Sequence, residues 1–370
     1  MRDVLDDLVR WWRLGEPAGL ATVTATWSSA PRQPGAAMLV GVDGTAVGSV
    51  SGGCVEGAVY ELCREVAESG RPQTVRYGIT DDDAFEVGLP CGGTIELFVE
   101  PAGFPELPVL AGLVAEGRPV ALLTCVDGPP DKLGRHLVLT AEDRHGSLGG
   151  ERLDDAVADD GRGLLVAGRT GLLHYGPEGQ RRGAGVTVLV TSFAPAARMI
   201  VFGATDHAAA VARIGSFLGY RVTVCDARPV FATAKRFPEA DEVVVDWPHR
   251  YLAAEAAAGR VDARTVLCVL THDPKFDVPV LEVALELPLA YVGAMGSRRT
   301  HDDRLKRLRE TGLAAESIAR LSSPIGLDLG ARTPEETAVS IAAEIVALRW
   351  NGSGERLTGT SGPIHAGAVI

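Results

Sequence analysis

One cysteine of the chain lies directly after a pair of glycines, in a segment that leaves a predicted strand and leads into a predicted helix. Cys54 follows Gly52 and Gly53 and precedes Glu56. A helix N-terminus favours the thiolate form of cysteine, which binds metals and carries sulfur. Glycines beside the thiol leave room for a bulky ligand. The segment therefore predicts a thiol-containing ligand site, and the alternative is that Cys54 is a small buried hydrophobe.

A second cysteine has the same kind of surroundings. Cys91 follows Pro90 and precedes Gly92 and Gly93, between two predicted strands. We expect it to belong to the same class of site as Cys54. The remaining cysteines lie in apolar stretches and are expected in the core: Cys63, Cys125, Cys225 and Cys268.

The first loop of the second half of the chain departs from the usual dinucleotide-binding pattern. Gly203 and Ala208 fit a G-x-G-x-x-G/A loop, whereas Thr205 occupies the place of its second glycine. Asp206 adds a carboxylate where a helix N-terminus would favour a phosphate. Asp226 ends the next predicted strand, where it could accept hydrogen bonds from ribose. A nucleotide-type or pterin-like ligand is one interpretation, and a degenerate scaffold in which Asp206 only caps its helix is the other.

Two further loops follow predicted strands of the same sheet. One contains His272 and Asp273, and the other contains Gly296, Ser297 and Arg298 at the start of a helix. Ligands in such folds bind at the carboxyl ends of the strands. Backbone N–H groups, a hydroxyl and a guanidinium suit an anion such as phosphate, so we expect an anion site here. The alternatives are a capped helix with solvated arginines and a satisfied His-Asp loop.

Strands and helices alternate after a boundary at Phe193-Ala194-Pro195. This alternation predicts a Rossmann-like, doubly wound parallel sheet. The preceding residues predict a mixed α/β domain, with a hairpin across Asp43-Gly44. The expected organisation is an N-terminal domain over 1–195, a Rossmann-like domain over 196–350 and a disordered tail over 351–370. The basic run 298–309 is interleaved with acids on a predicted helix, which favours a solvated face.

Composition excludes several classes of function. The 370 residues carry a net charge of −12 and 5% aromatic residues, so we expect no nucleic-acid partner. No CxxC pair occurs, which argues against a zinc ribbon. We expect no membrane span, because Pro195 and Arg198 interrupt the most apolar stretch. The N-terminus lacks the pattern of a secretory leader, so a reducing cytoplasm is the expected location.

These segments together resemble the XdhC/CoxI family, the accessory proteins of xanthine dehydrogenase and carbon monoxide dehydrogenase. The segment from Gly48 to Gly57 is the most specific of them. The resemblance covers most of the chain and implies an N-terminal XdhC/CoxI domain joined to a Rossmann domain. The matching stretches are 28–35, 48–57, 89–93, 271–277, 293–300 and 324–335.

The resemblance implies a role in the maturation of molybdenum hydroxylases. Such a protein would bind molybdenum cofactor, work with a cysteine desulfurase that supplies the terminal sulfur, and hand the cofactor to the apoenzyme. Cys54 and Cys91 would contact the molybdenum or its sulfur, and the helix start at Gly296–Arg298 would hold the phosphate or nucleotide tail. We therefore expect a non-catalytic accessory protein with no catalytic residues assigned.

Two other functions remain open from the sequence. One is an NAD(P)-dependent oxidoreductase, which Gly203, Ala208 and Asp226 favour. The other is a chaperone that needs no ligand and retains a vestigial Rossmann domain. The oligomeric state is also open, with a homodimer as one arrangement.

Overall fold

The computed structural model describes residues 1–27, 32–78 and 93–361. Two compact units form, the first containing Met1–Pro195 and the second containing Ala196–Thr360. Among the helices of the described residues, none has both the length and the hydrophobicity that crossing a membrane requires.

The first unit is mixed α/β, as its sequence predicts, and contains two five-stranded sheets. The first sheet has the order β3-β2-β1-β5-β4 and the second the order β8-β7-β6-β10-β9, with all described pairings antiparallel. One apolar cluster joins side chains from α1, α3 and both sheets, so the sheets share a core. The elements of this unit are α1 (Leu5–Leu14), β1 (Ala18–Trp27), β2 (Ala37–Gly41), β3 (Ala46–Gly48), α2 (Glu56–Ser69), β4 (Gln73–Tyr77), β5 (Thr94–Pro101), α3 (Leu107–Ala115), β6 (Ala121–Asp127), β7 (His136–Leu139), β8 (Arg144–Gly146), α4 (Glu151–Val166), β9 (Gly171–Tyr175) and β10 (Val186–Ser192).

The second unit contains a six-stranded parallel sheet with the order β13-β12-β11-β14-β15-β16. This order confirms the predicted Rossmann-like architecture, because the strand order reverses between β11 and β14. Its elements are β11 (Arg198–Phe202), α5 (Asp206–Phe217), β12 (Arg221–Cys225), β13 (Glu242–Val244), α6 (Pro248–Ala257), β14 (Val266–Val269), α7 (Pro274–Glu286), β15 (Tyr291–Ala294), α8 (Arg298–Glu310), α9 (Ala315–Ala319), β16 (Leu321–Ser322) and α10 (Pro334–Trp350).

Successive residues of β11 enter opposite cores, because side chains alternate across a strand. Met199 and Val201 pack with α5 and α10, whereas Ile200 and Phe202 pack with α6 and α7. Helices thus cover both faces of the sheet, which fits its fully buried strands. After α10, Leu357–Gly359 forms a 3-10 helix and the residues from 351 to 361 are exposed. The expected disorder of 351–370 stays a prediction.

Gly203 lies where the loop after β11 passes the loop after β14. Its φ is +111°, and a Cβ at this position would lie 3.0 Å from the backbone carbon of Leu270 and 3.0 Å from Cγ2 of Thr271. Both the backbone conformation and the close approach require glycine. The two loops at the reversal point of the sheet therefore lie against each other.

We expect Gly203→Ala to destabilise the protein more than Gly219→Ala, as measured by chemical denaturation. Gly219 also has a positive φ, +80°, but no atom lies within 4 Å of its absent Cβ. The control therefore measures backbone strain alone, at roughly 1–2 kcal/mol. Gly203→Ala adds the contact with Leu270 and Thr271, at roughly another 1–3 kcal/mol. Equal losses in the two variants would contradict the close packing of the loops.

Candidate functional site

The loop between β3 and α2 is held together by one carboxylate. Oε1 of Glu56 accepts hydrogen bonds from Oγ of Ser49 (2.7 Å) and from the backbone nitrogens of Val50 (3.3 Å) and Ser51 (2.9 Å). Oε2 accepts from Oγ of Ser51 and from the nitrogen of Gly53 (2.8 Å). Burial opposes ionisation of Glu56, yet these hydrogen bonds outweigh it and lower the pKa from 4.5 to about 2.

The two serines complete the network. The nitrogen of Gly52 donates to Oγ of Ser49, and the nitrogens of Cys54 and Val55 donate to Oγ of Ser51, each at 3.0 Å. Six consecutive backbone N–H groups, from Val50 to Val55, thus donate within the loop. Because these donors are already used, the loop cannot recognise an anion through its backbone. Glu56 belongs to the segment predicted as a ligand site, and in the described structure it shapes the loop. Its contact with the cofactor stays a prediction.

The loop leaves its glycines and its cysteine accessible. Gly52 and Gly53 are exposed, have φ of +76° and +117°, and have no atom within 4 Å of an added Cβ. Cys54 is half-buried and its thiol lies at the edge of the apolar core under α2. These residues offer open space beside a thiol, as the sequence predicts, and their contact with a ligand stays a prediction.

Cys54 differs from the other cysteines of the described ranges. The remaining four are buried, which confirms their predicted place in the core. Burial raises the pKa of Cys63, Cys225 and Cys268 to about 12 and that of Cys125 to about 11, so these thiols are unreactive near neutral pH. Cys54 is therefore the accessible thiol of residues 1–27, 32–78 and 93–361. Cys91 and Gly92 lie outside the described residues.

The loop after β11 is closed by Asp226. Oδ2 of Asp226 accepts from the nitrogen of Ala204 (2.7 Å) and from Nη2 of Arg228 (2.7 Å), while Oδ1 accepts from the nitrogen and Nε of Arg228 (2.9 Å each). Burial opposes its ionisation, but the hydrogen bonds from Arg228 and Ala204 prevail and lower the pKa of Asp226. The carboxylate already accepts four hydrogen bonds, so ribose would have to displace Arg228. Ribose binding by Asp226 stays a prediction.

The capping role considered for Asp206 belongs to its neighbour. Thr205 is the N-cap of α5, and its hydroxyl accepts from the nitrogen of Ala208 at 3.2 Å. Asp206 lies in the first turn, largely exposed, and forms an ion pair with Arg236 at 3.2 Å. The interpretation of Asp206 as the cap is therefore wrong, because Thr205 has the extended conformation that an N-cap requires. The Asp206 carboxylate lies in the first turn of α5, the part of the helix that binds phosphate in other proteins, and its negative charge opposes such binding.

The loops after β14 and β15 lead directly into α7 and α8. Asp273 caps α7 by accepting from the nitrogen of Lys275 at 3.1 Å, and Ser297 caps α8 by accepting from the nitrogen of Thr300 at 3.1 Å. His272, Ser297 and Arg298 are exposed. A Cβ on Gly296 would lie 3.0 Å from the side chain of Thr300, so glycine lets the loop pass close to α8.

A buried ion pair joins α7 to α8. Nη2 of Arg304 donates to Oδ2 of Asp277 at 2.9 Å, and each residue is only 3% exposed. Thr271 donates to the other carboxylate oxygen, and Arg304 also donates to the carbonyl of Met295 (2.7 Å) and to Oγ of Ser323 (2.9 Å). Burial raises the pKa of Asp277, even though Thr271 and Arg304 stabilise its charged form.

This pair corrects the interpretation of the run 298–309 as a solvated face. Arg304 shares one face of α8 with buried Leu308, four residues later, so it points into the unit and requires a buried partner. The signal in the sequence was the apolar Leu308 at that spacing. The partner Asp277, 27 residues away along the chain, carried no comparable signal.

A cavity of about 150 Å³ lies beside the ion pair. It brings His272 together with residues of α8 that the sequence analysis did not single out. Its remaining lining residues are Pro274, Asp277, Val278, Arg299, Thr300, Asp303, Arg304 and Arg307. The lining includes the guanidinium groups of three arginines and the carboxylates of Asp277 and Asp303. Asp277 is the carboxylate that pairs with Arg304. Four predicted site residues are close in sequence to lining residues but do not line the cavity themselves: Asp273, Gly296, Ser297 and Arg298.

We expect Glu56→Gln to lower the free energy of unfolding by roughly 1–2 kcal/mol at neutral pH, after allowance for the partial exposure of the side chain. The amide NH₂ would face the donors of Ser51 and Gly53. Because the pKa of Glu56 is lowered on folding, its charge stabilises the protein above pH 4.5, and this stabilisation is lost as the pH falls through about 2.

Denaturant titrations of wild type and variant across this range measure the effect. Glu65→Gln, on the exposed side of the same helix, is the matched control and should change little. A Glu56→Gln defect that is equally large at neutral pH and near pH 2 would contradict the ionised role of Glu56.

We expect Asp277→Ala to cost about 3–5 kcal/mol, because it leaves the Arg304 guanidinium buried without its counter-charge. Asp303→Ala removes an exposed carboxylate from the same cavity and should cost less than about 0.5 kcal/mol. Thermal or chemical denaturation of both variants measures the difference. A loss below 1 kcal/mol in Asp277→Ala would show that the pair contributes little.

Comparison with known proteins assigns both units. Residues 11–78 and 113–176 match the profile of the XdhC and CoxI family, and residues 199–345 match the profile of the XdhC Rossmann domain.

Two curated relatives extend the similarity over nearly the whole chain. The molybdenum cofactor insertion chaperone PaoD of Escherichia coli (strain K12) is 28% identical over 94% of this chain and 88% of its own. A probable xanthine dehydrogenase subunit from Bacillus subtilis (strain 168) is 27% identical over 90% of this chain and 94% of its own.

A solved structure supports the fold. The crystal structure described as a xanthine dehydrogenase from Bacillus halodurans has a TM-score of 0.67 and covers 96% of this chain and 97% of its own. At 24% sequence identity, this likeness concerns the fold alone.

Proposed function

The chain belongs to the XdhC and CoxI family, and we propose that it binds molybdenum cofactor as cargo and delivers it to an apo molybdenum hydroxylase of the xanthine dehydrogenase or carbon monoxide dehydrogenase type. The observation that carries the proposal is the likeness of nearly the whole chain to a molybdenum cofactor insertion chaperone. The protein would act in the reducing cytoplasm, as an accessory factor rather than as an enzyme.

The Cys54 loop supplies chemistry that suits this cargo. The thiolate form of cysteine binds metals and carries sulfur, which suits the metal end of this cargo. Cys54 is the accessible thiol among the described residues, and Gly52 and Gly53 leave open space beside it. The Glu56 network fixes the backbone that carries the thiol, so little conformational entropy is lost when a ligand is bound. We infer that Cys54 contacts the metal end of the cofactor, with Cys91 as a second candidate ligand.

Sulfuration is the finer part of the proposal. A cysteine desulfurase would supply the terminal sulfur while the cofactor is held by this protein, and the finished cofactor would pass to the apoenzyme. Co-precipitation of the purified protein with a desulfurase and with an apo hydroxylase, each with and without cofactor, tests the two partners separately. Size-exclusion chromatography with light scattering on the same samples reports whether a homodimer forms.

NAD(P) chemistry receives less support from the geometry. The carboxylate of Asp226 already accepts hydrogen bonds from Arg228 and Ala204. Thr205 replaces the glycine that lets the backbone approach a pyrophosphate, and Asp206 places a carboxylate at the start of α5. Calorimetry with NAD and NADP distinguishes this alternative, and binding at micromolar concentrations would favour it.

We expect Cys54→Ser to weaken binding of purified molybdenum cofactor by roughly tenfold or more, the effect of losing one soft metal–ligand contact of about 1.4 kcal/mol. Anaerobic ultrafiltration with molybdenum counted by mass spectrometry gives the affinity. Serine keeps the size of the side chain but is a poor ligand for a soft metal.

Cys63→Ala, at a buried position in the middle of α2, is the control. It should lower stability and leave the affinity of the folded protein unchanged. If Cys54→Ser binds the cofactor as well as wild type does, Cys54 has no role as a ligand. If the wild-type protein itself fails to bind the cofactor, the proposed cargo is wrong.

A further inference from the structure

The cavity between α7 and α8 has features that a structural ion pair does not explain. The Arg304 side chain lines it, is 97% removed from solvent, and has a buried Nε–H that meets no hydrogen-bond acceptor in the described ranges. A buried donor without an acceptor costs roughly 1–3 kcal/mol. Its other nitrogens are all engaged, by Asp277, Met295 and Ser323. The guanidinium is thus held rigidly at the wall of the cavity, and one of its donors has no acceptor.

Two more guanidinium groups stand at the same cavity. Arg299 and Arg307 are exposed, lie two helical turns apart on α8, and have no ion pair within residues 1–27, 32–78 and 93–361. Asp303, between them on the helix, is also exposed. With Asp277 paired with Arg304, the lining keeps a positive excess, and His272 adds an imidazole ring from the loop before α7.

The size of the cavity limits what it can hold. Pockets for whole drug-sized ligands measure about 300–1,000 Å³, whereas this one measures about 150 Å³. It therefore suits a single compact group rather than an entire dinucleotide. Arginine pairs with the oxygens of phosphate through two parallel N–H bonds, which makes phosphate the best match for a small site lined by several guanidinium groups.

We propose that the α7–α8 cavity binds a phosphate group, held by Arg299 and Arg307 at its rim and by Arg304 at its base. The α8 residues that line the cavity begin at Arg299, two residues after the N-cap Ser297. The anion was expected from the sequence at that helix start. At the N-cap, the backbone nitrogen of Thr300 already donates to the Ser297 hydroxyl and is not available to an anion. The cavity instead offers the guanidinium groups of its arginines as donors. The phosphate could come from a pterin cofactor, from a nucleotide or from free phosphate. All three present the same phosphate oxygens to the guanidinium groups.

Inorganic phosphate is the first probe. Isothermal calorimetry and thermal shift, with sodium chloride at equal ionic strength as the reference, should detect binding to the full-length protein. The double variant Arg299→Ala/Arg307→Ala should bind phosphate roughly 10- to 100-fold more weakly, because two charge-assisted contacts are lost. Both side chains are exposed, so the variant should fold. Asp303→Asn should bind phosphate more tightly, because a rim carboxylate is removed.

Arg309→Ala is the matched control, an exposed arginine on α8 that does not line the cavity. It should leave phosphate binding unchanged. A loss in Arg309→Ala as large as in the double variant would overturn the proposal, because the effect would then be one of general charge. No loss in either variant would overturn it too, because Arg299 and Arg307 would then not hold the phosphate. The absence of a phosphate effect beyond that of chloride would overturn it as well.

A second arm identifies the source of the phosphate. Molybdenum cofactor, AMP and inorganic phosphate are each titrated into wild type and the double variant, and the source with the largest loss in the variant is the natural one. Cofactor binding that survives in the double variant, with phosphate binding absent from wild type, rejects this site and leaves the proposed function standing. Phosphate binding that depends on the two arginines, with no cofactor binding at all, supports the site and rejects the proposed cargo.

Discussion

Most of the described loops with candidate ligand-binding residues join a strand to a helix, and the backbone N–H groups at the start of that helix need acceptors. An unpaired buried N–H is costly, and the first turn of a helix has donors without acceptors. Glu56 and two serines satisfy this requirement in the Cys54 loop, and Asp226 does so for Ala204 after β11. Thr205, Asp273 and Ser297 cap α5, α7 and α8. Side-chain oxygens of the chain thus accept hydrogen bonds from the N–H groups at these helix starts, where other proteins bind phosphate.

This constraint decides which groups remain for recognition. Where backbone donors are already engaged, an external anion must be held by side chains, and the guanidinium groups of Arg299, Arg304 and Arg307 are those that the second unit provides beside a cavity. In the first unit, the same saturation of the backbone leaves open space next to a thiol. A thiol with open space beside it suits a metal or sulfur ligand better than a phosphate.

Local features were predictable, because they depend on near neighbours. Asp43-Gly44 predicts the hairpin of β2 and β3, and Thr333, Pro334 and Glu336 predict the capping box at the start of α10; both are present. The alternating elements of the second half predict its parallel sheet. Arg304 was not predictable in the same way, since a charged residue in a charged run becomes internal only if a distant segment supplies its partner. Asp277 does so from α7.

The departure of the first phosphate loop from the dinucleotide pattern has a physical consequence for the second unit. In a sheet whose order reverses between β11 and β14, the crevice at that reversal is the usual place for a nucleotide. Here Thr205 caps α5, Asp206 brings a carboxylate to the helix start, and Asp226 is committed to Arg228. Arg228 and Arg236 are thus already engaged by these carboxylates, so a pyrophosphate here would have to compete for both guanidinium groups.

On the far side of β14, along α8, Asp277 pairs with Arg304, and Arg299 and Arg307 have no ion pair within the described residues. The proposed phosphate site would therefore place anion recognition at α8 and not at α5, while the strand order stays that of a nucleotide-binding sheet. If the proposed site holds, a Rossmann-like sheet would here hold its ligand by a single phosphate at α8, outside the usual crevice at the strand reversal.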